Sequence, residues 1–128
     1  MGNLKRGIYV RIIYANEKVR HQCTSLKEAM RLFGGNQGLA VSLHSRIRAL
    51  ENAEVIKDII VMPQFHFHNL QGKLQGTFAI DVKTRRDKWR IILCPLSDNH
   101  ERFTPCYIDQ IASEVRIVEI QEVSAHYE

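Results

Sequence analysis

The spacing of apolar residues changes at Pro63, and this change constrains the fold more than any other feature of the chain. Before Pro63, apolar residues recur at near-helical spacing and form one stripe: Leu39, Leu43, Ile47 and Leu50. After Pro63, they alternate as in strands: Phe78, Ile80 and Val82. Two or three helices followed by a run of strands predict an α+β fold, with the helices on one face of a small, mainly antiparallel sheet.

Local signals divide the first half of the chain. Residues 8–14 are β-branched and aromatic, which predicts an N-terminal strand whose even-numbered residues share one face, with Ile13 opposite. Ser25 and Glu28 have the spacing of a capping box, so a first helix is predicted to begin after Ser25. The pair Gly34-Gly35 is expected to end it, since glycine adopts a left-handed terminal conformation at little cost.

A second helix and a short third one are predicted next. Asn36 can cap the second helix, which carries the apolar stripe. The third runs through Val55, Ile56 and Ile60 and ends before Pro63. Strands are then predicted at residues 65–68, 78–82, 89–93 and 115–123. The connection 95–113 is long for a hairpin and is interpreted as a loop or an inserted excursion.

Composition narrows the class of protein. The length of 128 residues fits one domain, 1–128. No apolar run reaches the roughly 20 residues that span a bilayer, and the basic start lacks a secretory pattern, so we expect a cytoplasmic protein without membrane contact. Three cysteines without C-x-x-C spacing favour reduced thiols over disulfides or zinc. A net charge of +4 and a pI near 9.1 favour polyanionic partners.

An ordered set of residues in the second half resembles one known family. A histidine, a leucine and two glycines precede a strand, a Trp-Arg-Ile strand follows, and the chain ends in a cluster with a tyrosine, a histidine and acids: His68, Leu70, Gly72, Gly76, Trp89, Arg90, Ile91, Glu122, His126, Tyr127 and Glu128. This pattern resembles the HigB-like members of the RelE/ParE superfamily of toxins from type II toxin-antitoxin systems. The match covers roughly Leu39 to the C-terminus.

The resemblance implies a RelE-like fold and a ribosome-dependent mRNA endonuclease that uses no metal or other cofactor. His68 and His126 would transfer protons, Arg90 would neutralise the phosphorane, and Tyr127 would orient substrate or share acid duty. Lys73 would hold the RNA backbone. The implied partners are the ribosome, mRNA and a cognate HigA-like antitoxin.

The residue types suit that chemistry. Metal-free cleavage requires the 2′-OH to lose a proton and the leaving 5′ oxygen to gain one, and histidine titrates near working pH. Arginine grips two phosphate oxygens and stays charged. One departure is the order of the terminal cluster. Compact family members end acid-Tyr-His, whereas this chain ends His126-Tyr127-Glu128, so either His126 or Glu128 could be the proton-transfer group.

Several alternatives stay open at this point. The basic cluster Lys83, Arg85, Arg86 and Lys88 is either an RNA footprint or a solvated hairpin tip. Arg90, whose side chain leaves the sheet opposite Trp89 and Ile91, is either catalytic or a plain strand arginine, and His68 is either catalytic or structural. His66 and His68 could begin a metal site, but no third ligand is evident. The chain as a whole could also be a gyrase inhibitor like the ParE toxins, or a binding module without catalysis.

Overall fold

The structure, a computed structural model, describes residues 9–125. Its strands are β1 (Arg11–Tyr14), β2 (His68–Asn69), β3 (Phe78–Asp81), β4 (Arg90–Leu96) and β5 (Ile117–Ser124). Its helices are α1 (Glu17–Thr24), α2 (Leu26–Leu32), α3 (Gln37–Asn52), α4 (Lys57–Ile60) and α5 (Ile108–Ile111).

The five strands form one sheet in the order β1-β5-β4-β3-β2. The N-terminal strand β1 lies parallel to the last strand β5, and the other three pairings are antiparallel. This mixed sheet with packed helices confirms the predicted α+β class. Strands β1 and β2 are the two edges of the sheet, so the chain between them, which carries α1 to α4, crosses the sheet and packs these helices against one face.

The main core lies between the helices and one face of the sheet. Apolar residues of α3, such as Leu43 and Leu50, join Ile80, Ile91 and Ile120 of the sheet in one buried cluster. The opposite face carries two small clusters to which no α-helix of the described chain contributes. We call this opposite side the helix-free face. Phe78, Ile80 and Val82 all lie in the main core, as their spacing predicts.

Helix boundaries follow capping chemistry. The Asn36 side chain accepts a hydrogen bond from the Leu39 N–H at 3.0 Å, and Gly34 and Gly35 have φ values of +62° and +90°, which confirms both predicted signals. Ser25 accepts from the Glu28 N–H, as predicted. The reciprocal half of the capping box is wrong, because the Ser25 N–H already donates to His21 O at the end of α1.

Helix α1 itself was not predicted. The Asn16 side chain caps it by accepting from the Val19 N–H at 3.0 Å. Only Val19 and Cys23 are buried along its eight residues. A single apolar pair four residues apart is too short a stripe to indicate a helix from the sequence.

The predicted strand at residues 65–68 is wrong for most of its length. Pro63–Phe65 forms a single 3₁₀ turn, and His66 has φ 49° and ψ 52°, a left-handed conformation that no strand residue has. Only His68 and Asn69 pair with β3. The two phenylalanines alternate with the histidines because both pack inward and not because they share a strand face. Phe65 packs in the main core, and Phe67 stacks on Phe78 at a centroid distance of 4.9 Å.

The connection predicted at residues 95–113 is shorter in the structure, because regular elements occupy part of it. Strand β4 continues through Pro95 to Leu96, and the short helix α5 occupies part of the remainder. Leu96 also forms an isolated bridge with Arg102. Trp89 packs edge-on against Phe33 at a centroid distance of 4.9 Å and lies against the main core.

Candidate active site

One end of the sheet collects polar side chains on the helix-free face. Asp81 ends β3 and pairs with Arg90 at the start of β4, and Arg90 pairs with Ser124 at the end of β5. In the adjacent row His68 pairs with Ala79. Directly paired residues present their side chains on the same face of a sheet. The fold therefore brings His68 and Arg90, both predicted site residues, to the same face and the same end.

The His68 ring is oriented by a backbone oxygen. Its Nδ1 lies 2.8 Å from the carbonyl oxygen of His66. A carbonyl oxygen only accepts hydrogen bonds, so Nδ1 must carry the ring proton. In the neutral imidazole the other nitrogen, Nε2, is then the one that can accept a proton. His68 is only partly buried, so its ring is oriented by the backbone and still lies within reach of solvent.

A buried carboxylate, that of Asp81, contacts the ring of His66, which in turn packs against the ring of His68. His66 Nδ1 lies 3.4 Å from Asp81 Oδ1, and the rings of His66 and His68 pack at a tilt with centroids 4.6 Å apart. The side chain of Asp81 is only 3% exposed. Asp81 was not singled out from the sequence, although a charged residue at the end of the apolar segment Phe78-Ala79-Ile80 is a visible departure from a buried strand pattern.

Arg90 is a buried residue engaged with its own hairpin. Its Nε lies 3.1 Å from Asp81 Oδ1, at an angle that makes an ion pair but not a directed hydrogen bond. Its Nη1 donates to Asp87 O at 2.9 Å and Trp89 O at 2.8 Å, and its Nη2 donates to Arg85 O at 3.3 Å. In this arrangement the guanidinium supports the turn. The contact with RNA phosphate that the sequence analysis predicts would require it to leave these carbonyls, so that role stays a prediction.

The hairpin between β3 and β4 is a folded turn with a basic surface. Asp87 Oδ2 accepts from the Thr84 N–H at 2.9 Å, and Asp87 Oδ1 accepts from the Trp89 N–H at 2.9 Å. The four exposed cations of this turn form what we call the basic tip: Lys83, Arg85, Arg86 and Lys88. Asp87, the acidic residue within this cluster, holds the backbone of the turn in place.

Lys73 lies on the segment that follows β2. It is exposed on a 3₁₀ turn, Gly72–Leu74, bounded by Gly72 with φ 64° and Gly76 with φ 90°. Both glycines therefore serve turns. Leu70 and Leu74, on either side of Lys73, pack on Ala79 and Ile92, so the segment covers part of the helix-free face.

Arg46 ties α3 to this end of the sheet and was missed by sequence reasoning. Its Nε donates to Asp81 O at 3.1 Å, and its Nη2 donates to Lys83 O at 3.1 Å. Its guanidinium also lies 4.7 Å from the centroid of the Phe65 ring. Burial lowers the pKa of Arg46, and the carboxylates of Asp81 and Asp87 partly oppose that shift. These contacts span 35 or more residues of sequence, so no local pattern indicates them.

Some predicted residues fall elsewhere. His126, Tyr127 and the alternative Glu128 lie outside the described residues 9–125. Glu122 is exposed and pairs with Ile92, so it lies on the helix-free face in the row of His68. Within the described range, no three histidine, cysteine or acidic side chains are grouped as metal ligands.

The three cysteines are free, and none lies in a disulfide. Cys23 and Cys94 are buried, and Cys106 is partly buried. Burial raises the pKa of Cys23 to about 12 and raises the pKa of Cys94 and of Cys106. Thiols of this kind are poor nucleophiles at neutral pH, because the reactive thiolate is scarce.

Comparison with known proteins adds no relative. A scan against models of protein families and searches of curated proteins and of solved structures found no significant match. Among residues 9–125 there is also no helix with the length and apolar character required to cross a membrane.

Proposed function

We propose that this protein is the toxin of a type II toxin-antitoxin system and cleaves mRNA on the ribosome. The observation that carries the proposal is the His68 ring, whose Nδ1–H is held by the His66 carbonyl so that Nε2 can accept a proton. The resemblance to HigB-like toxins supports the substrate class. The proposal implies a cytoplasmic location and an antitoxin that covers the helix-free face and the basic tip.

The proposed reaction is a transesterification. His68 Nε2 takes the proton of the RNA 2′-OH, and the 2′ oxygen attacks the adjacent phosphorus. The bond from phosphorus to the 5′ oxygen breaks, and the 5′ oxygen takes a proton from an acid, for which His126, Tyr127 and Glu128 are the candidates. The products are a 2′,3′-cyclic phosphate and a 5′-OH end. A positioned general base contributes on the order of 10²–10⁴-fold in rate.

Cations near the site would hold the substrate. Lys73 and the basic tip present exposed positive side chains on the segments that follow β2 and β3. Such groups bind phosphates without reading sequence, so they fix the RNA backbone and do not select bases. Arg90 would contribute indirectly, by holding the turn that carries the basic tip.

The test is primer extension on a defined mRNA in a purified translation system. Wild-type protein is compared with His68→Gln and with His21→Gln, a matched control at an exposed histidine on α1. We expect discrete cuts that require ribosomes, that disappear with His68→Gln and that persist with His21→Gln. Undiminished cutting by folded His68→Gln would contradict the catalytic assignment, and no cutting by folded wild-type protein would contradict the proposed function.

A second candidate function is binding to RNA or to a protein partner without cleavage. The observation that favours it is Arg90, whose guanidinium is buried among the carbonyl oxygens of its own turn. In the same translation assay this candidate predicts slower protein synthesis with intact mRNA, and it predicts equal inhibition by the wild type and His68→Gln.

A further inference from the structure

His66 has a backbone conformation that side-chain-bearing residues seldom adopt. Its φ of 49° and ψ of 52° are left-handed, and its N–H donates to Pro63 O at 3.0 Å to close the preceding 3₁₀ turn. Left-handed residues other than glycine are uncommon, although histidine, asparagine and aspartate tolerate the conformation better than β-branched residues do. Such strain persists only where surrounding contacts hold it.

This conformation aims the His66 carbonyl at the ring of His68, two residues further along the chain. Its oxygen lies 2.8 Å from His68 Nδ1. In an extended strand the carbonyl oxygens point sideways toward a neighbouring strand, because that is where the ladder hydrogen bonds form. The left-handed turn at His66 therefore supplies an acceptor to its own chain that a regular strand would not supply.

Asp81 anchors the His66 side chain from the sheet. Its Oδ1 lies 3.4 Å from His66 Nδ1 and 3.1 Å from Arg90 Nε. Its backbone carbonyl accepts from Arg46 Nε at 3.1 Å, so the residue is held through both its side chain and its main chain. A carboxylate fixed in this way leaves the His66 ring one favoured orientation, packed against the His68 ring.

We propose that His66 and Asp81 are positioning residues that fix the tautomer and the ring orientation of His68. Asp81 holds the His66 ring, the left-handed His66 backbone presents its carbonyl oxygen, and that oxygen keeps the proton of His68 on Nδ1. The catalytic meaning of this chain of contacts rests on the proposed function, but the chain itself is a property of the folded protein.

The direct test is the tautomer of His68 by ¹⁵N NMR of the imidazole rings, recorded at a pH at which the ¹⁵N shifts themselves show a neutral ring. It is measured in the wild type, in His66→Asn and in His66→Val. Asparagine tolerates the left-handed backbone, and its amide can still donate to Asp81, whereas valine is β-branched and can do neither. The matched controls are His100→Asn and His100→Val, since His100 also has a positive φ, of 63°, on an exposed turn.

We expect the proton of His68 on Nδ1 in the wild type, in His66→Asn and in both His100 variants, and a shift toward Nε2–H in His66→Val. In the cleavage assay kcat should fall about tenfold in His66→Val, less than the loss of the base itself, with KM changed less than about twofold. Wild-type His68 protonated on Nε2 would overturn the proposal without any variant. An unchanged tautomer and kcat in folded His66→Val would overturn it too.

The two proposals can fail separately. A wild-type protein with the Nδ1–H tautomer that cleaves no mRNA would support the positioning of His68 and refute the endonuclease. If cleavage depends on His68 but the tautomer of His68 is the same in His66→Val, the endonuclease is supported and the positioning role of His66 is refuted.

Discussion

At the scale of single residues, Arg90 shows how much a buried charge depends on its partners. Its side chain is 9% exposed, that of Asp81 is 3% exposed, and the two form an ion pair. Removing one member of a buried pair costs about 3–5 kcal/mol, because the other charge stays buried without compensation. The carbonyl oxygen of Asp87 would also lose this donor, whereas that of Trp89 would keep its hydrogen bond from the Val82 N–H.

We therefore expect Arg90→Ala to lower the free energy of unfolding by about 3–5 kcal/mol in urea denaturation. The control is Arg86→Ala, at an exposed arginine of the same turn, which should change it by less than about 0.5 kcal/mol. Arg90→Lys should lie between them, since one ammonium cannot serve carbonyls in several directions. A cost for Arg90→Ala equal to that of Arg86→Ala would contradict the structural role.

Residue identity alone shows part of the candidate site. His68 stands out in the sequence because it fits a family pattern and because histidine can transfer protons. Its orienting contacts do not stand out: Asp81 meets His66 across 15 positions, and Arg46 meets Asp81 across 35. Contacts of this kind depend on the register of the sheet and on the docking of α3. A local pattern contains neither.

At the scale of elements, the length of a periodic pattern decides what a sequence predicts. Helix α3 has five buried residues in 16, and both its apolar stripe and its N-cap can be recognised in the sequence. Helix α1 has two in eight, and β2 has only two residues, so neither offers a pattern long enough to distinguish helix from strand. The alternation at residues 65–68 predicts a strand wrongly, because a left-handed residue such as His66 can also direct successive side chains to opposite sides of the chain.

The cap of α3 provides a test at this scale. Replacement of Asn36 by alanine removes the side-chain acceptor of the Leu39 N–H, and losing such a cap costs about 1 kcal/mol. Since α3 contributes the centre of the main core and its Arg46 holds the β3–β4 hairpin, we expect this loss to appear in the global unfolding of the protein. Urea denaturation should show it for Asn36→Ala and not for Asn99→Ala, at an exposed asparagine of a loop. Equal stability of the two variants would indicate that the cap contributes nothing.

At the scale of the whole molecule, the arrangement of charge matters more than its total. The formal net charge is only +4, which by itself binds nucleic acid weakly. The basic tip, however, presents four exposed cations on one short turn at the end of the sheet that also carries His68. If phosphates bind there, the local cluster and not the net charge should determine the salt dependence of RNA binding.

Two variants with the same net charge separate these possibilities. In one, the four cations of the basic tip, Lys83, Arg85, Arg86 and Lys88, are changed to glutamine. In the other, four exposed cations of the helices, Lys18, Lys27, Arg48 and Lys57, are changed instead. Each removes four charges, and 4 − 4 gives a formal net charge of zero for both.

Binding of a single-stranded RNA, followed by fluorescence anisotropy over a range of salt concentrations, should distinguish the two variants. Each phosphate contact contributes about 0.7 to the slope of log K against log salt for single strands, so loss of the tip should reduce the slope by about 2–3. The helix variant should keep nearly the wild-type slope, since its cations lie away from the proposed site. Equal slopes for the two variants would mean that RNA responds to net charge alone, and the basic tip would then be a solvated turn.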